Sequence, residues 1–484
     1  MGHDSLAFTP AVELAKLFRE RKVSPVEVVE LLLRRIEALN PRLNAYLTIT
    51  SDEARAAARK AEEAFQKDEE LLPLFGIPVS IKDLFATRGI RTTNGSITDA
   101  NCVPDEDALS VERLRKAGVI ILGKTNTPEF GMSPTTENRL GDFCCNPWNT
   151  GRVSGGSSGG SAASVAAGMG PLSLGSDGGG SIRIPSSFCG VYGIKPTYGL
   201  VPSAIWGGMP LFSTFGPITR TVADAALMLN CLAGPDPRAV YCVRGTPPDY
   251  VNTLGSKDEV RKLRIAWSPD LGYAAMDSEV VSVARAAVRS LEVFGCSIEE
   301  ASPDLWDAHS TAWRPIAWCD EYVAHADSLE NQADKLVGYV KDYLEYGKTV
   351  TGADYVRALH EMWSLQKQML NFFDKYDLLL TPTLATTAFP GRNVDLTREN
   401  PHLTVYPGVI GGKKINSHWG FTSLSALFNM TGQPAATVPC GFSSDGLPIG
   451  LQIVGRRKED ATVLQASAVF EEIRPWADKK PPLS

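Results

Sequence analysis

A serine that follows three consecutive glycines is the first feature of this sequence that could do chemistry. Residues 175–183 read G-S-D-G-G-G-S-I-R, and Ser181 follows the third glycine. Glycine opens backbone dihedral angles that are closed to other residues, and it leaves the approach to its own N–H group clear. Successive N–H groups that point the same way form an anion-binding nest. The segment therefore suits acyl transfer, in which the Ser181 hydroxyl attacks a carbonyl carbon and the nest holds the oxyanion.

The hydroxyl needs a base, and the sequence offers two kinds. No histidine lies between His3 and His309, although a distant histidine could fold back onto the serine, as in other triads. Lys82 is the simpler candidate, because it follows the apolar run Ile77–Ile81 and so ends an internal strand. Burial would disfavour its ammonium form and lower its pKa, which would make it a feasible base. Position alone does not decide, because a lysine at a strand end is commonly a surface charge.

A second stretch, residues 154–164, reads S-G-G-S-S-G-G-S-A-A-S and has the composition of a flexible linker. Its position in the sequence favours an ordered segment over a flexible linker. The run passes directly into an alanine-rich helical stretch, Ala162–Gly168, and Leu172–Leu174 then predicts a short strand that leads into the glycine-rich loop. A flexible linker is not expected to lead so directly into packed elements.

The elements that must position these residues alternate along the chain. Helices are predicted from Pro25 onward, after the N-cap residue Ser24, and at Asp52–Lys67, Ala108–Ala117, Val280–Leu291 and Ala353–Phe373. Strands are predicted at Ile77–Ile81, Val119–Leu122, Leu172–Leu174, Leu378–Leu380 and Ile449–Ile453. Alternation of this kind predicts an α/β fold with a largely internal sheet.

We predict one large domain, because no linker is long enough to separate independent units. Residues 1–70 are predicted to be N-terminal helices that pack on the core. Residues 71–234 and 376–470 are predicted to form the α/β core, and residues 235–375 a helical elaboration of the same domain.

Composition narrows the classes of function. The formal net charge of −7 disfavours nucleic acid and anionic membranes as partners, because both require a basic surface. No run approaches the roughly 18 apolar residues of a membrane span, and residues 1–10 lack the pattern of a signal peptide, so we predict a cytoplasmic protein. The nine cysteines show no spacing typical of a zinc site and are expected to be free thiols.

Several motifs, in order along roughly residues 10–470, resemble the amidase signature family. Its defining stretch is similar to three segments: G-G-S-S-G-G-S-A-A (155–163), S-D-G-G-G-S-I-R-I-P (176–185) and C-G-V-Y-G-I-K-P-T-Y-G (189–199). Five further segments also fit: G-I-P-V-S-I-K-D (76–83), G-K-T-N-T-P-E-F (123–130), N-P-W (146–148), T-G-Q-P-A (431–435) and G-L-P-I-G-L-Q-I-V-G (446–455).

The resemblance implies a Ser-cisSer-Lys triad. Lys82 is similar to the catalytic lysine, Ser157 to a bridging serine that follows a cis Gly156-Ser157 peptide, and Ser181 to the acylated nucleophile. The implied oxyanion hole consists of the N–H groups of Gly178, Gly179, Gly180 and Ser181. Three supporting residues are also implied: Ser158, expected to bond the lysine, Asp177, expected to orient the glycine loop, and Arg183, expected to support it.

The resemblance also implies the fold and the reaction. The fold would be a central mixed β-sheet with helices on both faces. The reaction would be hydrolysis of linear carbon–nitrogen amide bonds through an acyl-enzyme, with no metal or organic cofactor. The expected partner is a small-molecule amide or carbamate, with no nucleic acid and no membrane, and the expected assembly is a monomer or homodimer.

Two positions depart from the family pattern. Gly178 stands where the family commonly has threonine, which removes a side chain near the oxyanion hole. Ile184 stands where the glutamine-tRNA amidotransferase subunits of the family usually have glutamine, and this disfavours that alternative function.

None of these motifs identifies the acyl group of the substrate. Gly131-Met132-Ser133 and residues 204–212 are expected to line the pocket, and the proposed binding residues are Met132, Ser133, Trp206, Met209 and Phe212. Their apolar surface favours a hydrophobic or aryl amide, or a carbamate (urethane) or ester of that shape. Alternatively, they are ordinary core residues.

Two other classes of function have some support in the sequence. Residues 118–125 match the pattern G-x-x-x-x-G-K-T literally, but their intervening residues Val-Ile-Ile-Leu predict a strand rather than a phosphate-cradling loop. A non-catalytic subunit in tRNA-linked amide transfer would need a partner and a basic surface, which the acidic balance disfavours.

Overall fold

The computed structural model of the protein describes residues 6–67, 71–141, 143–204, 209–255, 257–391, 406–416 and 418–483. Near the N-terminal end of the described residues lie the helices α1 (Ala11–Arg19), α2 (Pro25–Leu43) and α3 (Ser51–Gln66). Ser24 caps α2 as predicted, because its hydroxyl accepts a hydrogen bond of 2.9 Å from the Val26 N–H and proline occupies the first helical position.

Within the described residues, eleven strands form one sheet at the centre of the molecule. Their bounds are β1 (Tyr46–Ile49), β2 (Pro78–Lys82), β3 (Ile120–Thr125), β6 (Leu172–Asp177), β7 (Tyr192–Lys195), β8 (Thr214–Thr219), β9 (Arg264–Trp267), β10 (Ser297–Glu300), β11 (Leu378–Pro382), β14 (Ala435–Phe442) and β15 (Pro448–Gly455). Outside this sheet, the described residues form the small hairpins β4 (Cys145–Asn146) with β5 (Asn149–Val153), and β12 (Val409–Ile410) with β13 (Lys413–Lys414).

The sheet is mixed, in the order β1-β3-β2-β6-β8-β7-β14-β15-β11-β9-β10. β2 pairs in parallel with both β3 and β6, and β9 pairs in parallel with β10 and β11, whereas the other pairs are antiparallel. Every residue of β2 and β3 is buried, which explains why these strands read as continuous apolar runs.

Twelve further helices follow α3 within the described residues. They are α4 (Leu109–Lys116), α5 (Gly159–Ala166), α6 (Arg183–Cys189), α7 (Val222–Leu232), α8 (Tyr250–Thr253), α9 (Lys257–Arg261), α10 (Ser278–Phe294), α11 (Arg314–Asn331), α12 (Gly338–Thr349), α13 (Gly352–Lys375), α14 (Leu427–Met430) and α15 (Asp460–Ile473). Within the described ranges, none of the helices has the length and the apolar character needed to traverse a bilayer.

The helices cover both faces of the sheet. Leu378 and Leu380 of β11 belong to a hydrophobic cluster with α7, α10 and α15, while Leu379 belongs to a second cluster with α11, α12 and α13. Alternate side chains of a strand point to opposite faces, so the two clusters are the two sides of one sheet. The predicted α/β class and the predicted mixed central sheet are therefore confirmed.

The predicted helical middle, residues 235–375, holds more than helices. It contains α8 to α13, but it also contributes β9 and β10, which extend one edge of the sheet. These strands have only four residues each, and β10 is mostly exposed with Ile298 as its one aliphatic side chain. Strands this short carry too few residues to show a period of two. In the same way β1 (residues 46–49) adds a strand to the N-terminal region that was predicted as helices.

Candidate active site

Lys82 ends β2 with its side chain fully buried. Its Nζ lies 2.6 Å from the Ser157 Oγ and 2.8 Å from the Ser176 Oγ. Burial lowers the pKa of Lys82 well below its usual value, and the charge of Asp177 opposes that shift only partly. When neutral, an amine at these distances can accept a proton from either hydroxyl.

Ser157 lies in the loop between β5 and α5 and is almost fully buried. The Gly156-Ser157 peptide bond is cis. Gly156 passes so close to the Thr135 backbone that a Cβ on it would lie 2.6 Å from the Thr135 carbonyl oxygen. The next residue, Ser158, donates its N–H to the Ser181 carbonyl oxygen at 3.1 Å, which ties this loop to the glycine-rich loop.

The second partner of the lysine is Ser176 rather than Ser158, so the expectation that Ser158 bonds the lysine is corrected. The Ser158 hydroxyl donates to the Ser176 carbonyl oxygen at 3.2 Å instead. The register of the two parallel strands is the reason. Ile81 of β2 lies opposite Leu174 of β6, so Ser176 reaches the end of β2 where Lys82 lies.

The glycine-rich loop follows β6 and leads into α6. Gly180 has φ +126° and packs against Ser425, whose Oγ would lie 2.4 Å from a Cβ at this position, so the site requires glycine. Its N–H donates to the Asp177 Oδ1 at 2.7 Å, which corrects its assignment to the oxyanion hole. In the described part of the chain, the N–H groups of Gly178, Gly179 and Ser181 have no acceptor and are available to an oxyanion.

Asp177 and Arg183 form the support beneath this loop, and both are fully buried. Arg183 Nε and Nη2 donate to the two Asp177 oxygens at 3.0 and 2.9 Å, while Asp177 also accepts the N–H groups of Gly180 and Ile182. Burial alone would raise the pKa of Asp177, but the ion pair and these hydrogen bonds hold it well below its usual range. Asp177 is therefore a permanent anion that orders the loop.

The remaining Arg183 donors reach across the molecule. Nη1 donates to the Ser425 carbonyl oxygen at 2.9 Å and to the Gln452 Oε1 at 2.8 Å, and Nη2 donates to the Asn429 Oδ1 at 2.7 Å. All five N–H donors of the guanidinium thus have acceptors. Sequence reasoning missed Ser425, Asn429 and Gln452, although the segment 446–455 that contains Gln452 was one of the recognised motifs.

Trp313 directly precedes α11, the first helix of the helical layer α11–α13, and covers the glycine-rich loop from that side. Its indole N–H donates to the Gly178 carbonyl oxygen at 3.0 Å. A Cβ on Gly178 would lie 2.8 Å from the Met209 Cε, so the Met209 methyl group fills the space that a larger residue at 178 would take. The departure at Gly178 is therefore compensated by a neighbouring side chain, which no sequence pattern indicates.

An active-site cavity of about 410 Å³ opens over these groups. Ser157, Ser176, Gly178 and Ser181 line its floor. Its walls combine polar groups with apolar and aromatic side chains, the latter from Leu84, Phe85, Leu109, Phe130, Tyr198, Val201, Met209, Phe215 and Tyr241.

The predicted substrate-binding residues fall into three groups. Met209 lines the cavity, whereas Met132, Ser133 and Phe212 are buried and lie outside the residues that line it. Ser133 bonds the Tyr406 hydroxyl at 3.1 Å, and Phe212 stacks on Trp313 at 6.3 Å between ring centroids, so these residues are core in this structure. Trp206 lies outside the described residues.

The competing features have other roles. Residues 120–125 form β3, and Lys124 is buried with its Nζ 2.7 Å from the Phe85 carbonyl oxygen, so this segment lacks the loop that a phosphate needs. His325 lines the cavity, but it forms no hydrogen bond with Ser157 or Ser181 within the described chain. No group of three or more metal-ligating side chains occurs among the described residues.

Comparison with known proteins gives consistent matches along the chain. A family model described as Amidase matches residues 27–464. An acylamidase of Rhodococcus erythropolis is 40% identical over 487 residues, covering 99% of this chain and 98% of that protein. A glutamyl-tRNA(Gln) amidotransferase subunit of Moorella thermoacetica is 37% identical over 519 residues, covering 99% of each.

Solved structures agree with the sequence matches. A bacterial aryl acylamidase of the amidase signature enzymes superimposes with a TM-score of 0.88 at 30% identity, over 97% of each chain. The eleven strands of the sheet and the elements that carry Lys82, Ser157 and Ser181 lie within residues 27–464, the part of the chain that the family model matches.

Proposed function

We propose, from the premise that this chain belongs to the amidase signature family of hydrolases, that it hydrolyses hydrophobic or aryl amides through an acyl-enzyme on Ser181. In this proposal Lys82 is the base, and Ser157 relays the proton from Ser181 to Lys82. The observation that carries it is the contact of 2.6 Å between the Ser157 hydroxyl and a fully buried amine whose pKa is lowered by burial.

The reaction is proposed to begin with attack of the Ser181 Oγ on the amide carbonyl carbon. The Ser181 proton passes to Ser157, whose own proton passes to the neutral Lys82. The negative charge that develops on the carbonyl oxygen is stabilised by the free N–H groups of Gly178, Gly179 and Ser181.

Collapse of the tetrahedral intermediate breaks the carbon–nitrogen bond. The leaving amine takes a proton from Lys82 through Ser157 and departs, which leaves an ester between the acyl group and Ser181. Water then attacks this ester, loses a proton to the same relay, and releases the carboxylic acid with Ser181 reprotonated.

The apolar walls of the cavity support a hydrophobic or aryl substrate. Phe85, Phe130 and Phe215 line the space around the catalytic hydroxyls. Burial of a substrate against these rings favours aromatic or aliphatic substrate groups over polar ones. The similarity to a solved bacterial aryl acylamidase supports an aryl substrate. Aryl carbamates and esters of the same shape are proposed as further substrates, because the same acyl-transfer steps apply to them.

Participation in a tRNA-dependent amidotransferase is the alternative, supported by the 37% identity to a protein of that kind. The two functions differ in what they require: an amidotransferase subunit uses glutamine and partner chains, whereas a stand-alone amidase needs neither. The purified chain alone should hydrolyse 4-nitroacetanilide faster than glutamine. The reverse preference would favour the alternative.

The test of the nucleophile is intact-protein mass spectrometry after treatment with phenylmethanesulfonyl fluoride. The wild type should gain one sulfonyl adduct, mapped to Ser181, and lose activity in parallel. Ser181→Ala should remain unmodified and inactive, whereas Ser213→Ala, which removes another hydroxyl from the cavity wall, should still be labelled. An adduct on a different serine, with Ser181→Ala still active, would refute the proposal.

A further inference from the structure

One wall of the active-site cavity comes from α11 and carries two ionisable side chains, Glu321 and His325. They are four residues apart and so lie on the same side of the helix, together with Ala324 of the same wall. Glu321 is only 3% exposed, although Val323 two residues further on is 73% exposed. The carboxylate is therefore turned away from bulk solvent, toward the cavity.

Glu321 is held by His325. The distance from the His325 Nε2 to the Glu321 Oε2 is 3.4 Å, and the imidazole stacks on Phe130 with ring centroids 3.9 Å apart. Helical geometry breaks at His325, whose φ and ψ are −123° and 19°. Stacking and pairing fix the imidazole, and the imidazole in turn fixes the carboxylate.

The carboxylate retains capacity for a ligand. A carboxylate offers about four lone-pair sites, and within the described chain the contact with His325 is the one polar contact that Glu321 makes. Among the described lining residues there is no lysine or arginine that could neutralise it. Lys82 lies beneath Ser157, buried and outside the lining.

We propose that Glu321, held by His325, selects substrates that bring a hydrogen-bond donor or a positive charge to this wall, and rejects those that bring an anion. The inference rests on the proposed amide hydrolysis and specifies its substrate class. Apolar walls lower the local dielectric, which strengthens attraction to a donor or cation and repulsion of a carboxylate. Glu321 is a specificity-determining residue here, and no proton transfer is assigned to it.

The test compares three acetanilides that differ only at the ring position para to the amide: aminomethyl (cationic), methyl (neutral) and carboxylate (anionic). A parallel series carries the same three groups on the acyl side, in para-substituted benzanilides. In at least one series, Glu321→Gln should lower kcat/KM about tenfold for the cation and raise it about tenfold for the anion. The methyl compound should change little.

The matched control is Glu330→Gln, which removes the same charge from an exposed position on the same helix. Glu330→Gln should leave the ratios of kcat/KM between the cationic, neutral and anionic compounds unchanged. A uniform loss of rate across the three compounds in Glu321→Gln would indicate a structural role and overturn the proposal, as would unchanged ratios in both series.

Binding separates this proposal from the proposed function. The affinity of Ser181→Ala for the same compounds, measured by calorimetry, should follow the order cation, methyl, anion, and Glu321→Gln in that background should remove the order. If the wild type hydrolyses none of the compounds but this binding order is found, amide hydrolysis is refuted and the selection by Glu321 stands. Equal affinities, or no binding of any compound, would overturn the selection.

Discussion

Lys82 determines the pH dependence that the proposed reaction should show. Only the neutral amine accepts a proton, and burial makes that form dominant at a pH well below 10.5. kcat/KM for 4-nitroacetanilide should therefore rise as pH passes upward through the lowered pKa of Lys82, and then stay level. The measurement is a rate profile across about pH 5 to 10.

Two outcomes would contradict this assignment. A rate that is still rising steeply at the upper end of this range, as an amine with the ordinary lysine pKa of 10.5 requires, would mean that the amine is solvated. Retained activity in Lys82→Ala, with an unchanged profile, would remove the lysine from the reaction altogether.

Ser157 and Ser176 both contact Lys82, but they should not be equally important. Ser157 lies on the proposed proton path, so Ser157→Ala should reduce kcat by about a thousandfold. Ser176 only holds the amine in place, and losing one such hydrogen bond should cost about tenfold or less. Ser173→Ala is the control, because that hydroxyl of β6 bonds the Ser80 carbonyl oxygen instead of the lysine. Equal losses for Ser157→Ala and Ser176→Ala would argue against a relay through Ser157.

The connection from β6 through the glycine-rich loop to α6 is held in place by one arginine. Removing the guanidinium by Arg183→Met would leave the Asp177 carboxylate buried without its ion pair, which should cost about 3–5 kcal/mol of the free energy of unfolding. Denaturant unfolding followed by circular dichroism measures this change, and activity should fall with it because the nest loses its support.

The control for Arg183 is Arg238→Met. Arg238 also pairs with an aspartate, Asp236, but its side chain is 54% exposed, so water can replace the lost contacts and stability should hardly change. Similar losses of the free energy of unfolding in Arg183→Met and Arg238→Met would mean that the buried contacts of Arg183 stabilise the protein no more than an exposed ion pair does.

Across the whole molecule, the helical layer is fastened to the core beside the cavity by Glu129. Its Oε2 accepts the Val337 N–H at 2.6 Å, its Oε1 accepts the Ser96 hydroxyl at 2.5 Å, and its own N–H donates to the Tyr339 hydroxyl at 3.1 Å. Burial raises the pKa of Glu129 to about 7. The folded protein therefore keeps this carboxyl protonated at pH values where the unfolded chain has lost the proton.

The sign of the effect on stability follows from that difference. The contribution of the protonated Glu129 carboxyl to the free energy of unfolding is fully present below the ordinary glutamate pKa of 4.5, and it is lost as pH rises through about 7. The melting temperature of the wild type relative to Glu129→Gln should therefore fall over this range and level off above it. Glu330→Gln, at an exposed site, should show no such trend, and a constant difference for Glu129→Gln would refute the assignment.

The main strands and the long helices were predictable from the sequence, because their patterns lie within each element. Continuous apolar runs located β2, β3 and β11, and helical periodicity located α2, α10 and α13. The short strands β9 and β10 were not found, because β9 is a strand through its pairing with residues 378–380 of β11, far away along the chain, and β10 is a strand through its pairing with β9. The residues of β9 and β10 have little preference of their own for the strand conformation.

For the candidate site, the sequence by itself singled out Ser181 and Lys82, because a glycine-rich loop and a strand-end lysine are local features, and the family resemblance added Ser157. Only the tertiary structure decided that Ser176, 94 residues from Lys82, is its second partner, and that the Gly180 N–H turns toward Asp177. It also brought Glu321 and His325 to the cavity while Met132 and Phe212 went into the core. Strand register and the packing of the helical layer set these contacts, and both depend on residues that are distant along the chain.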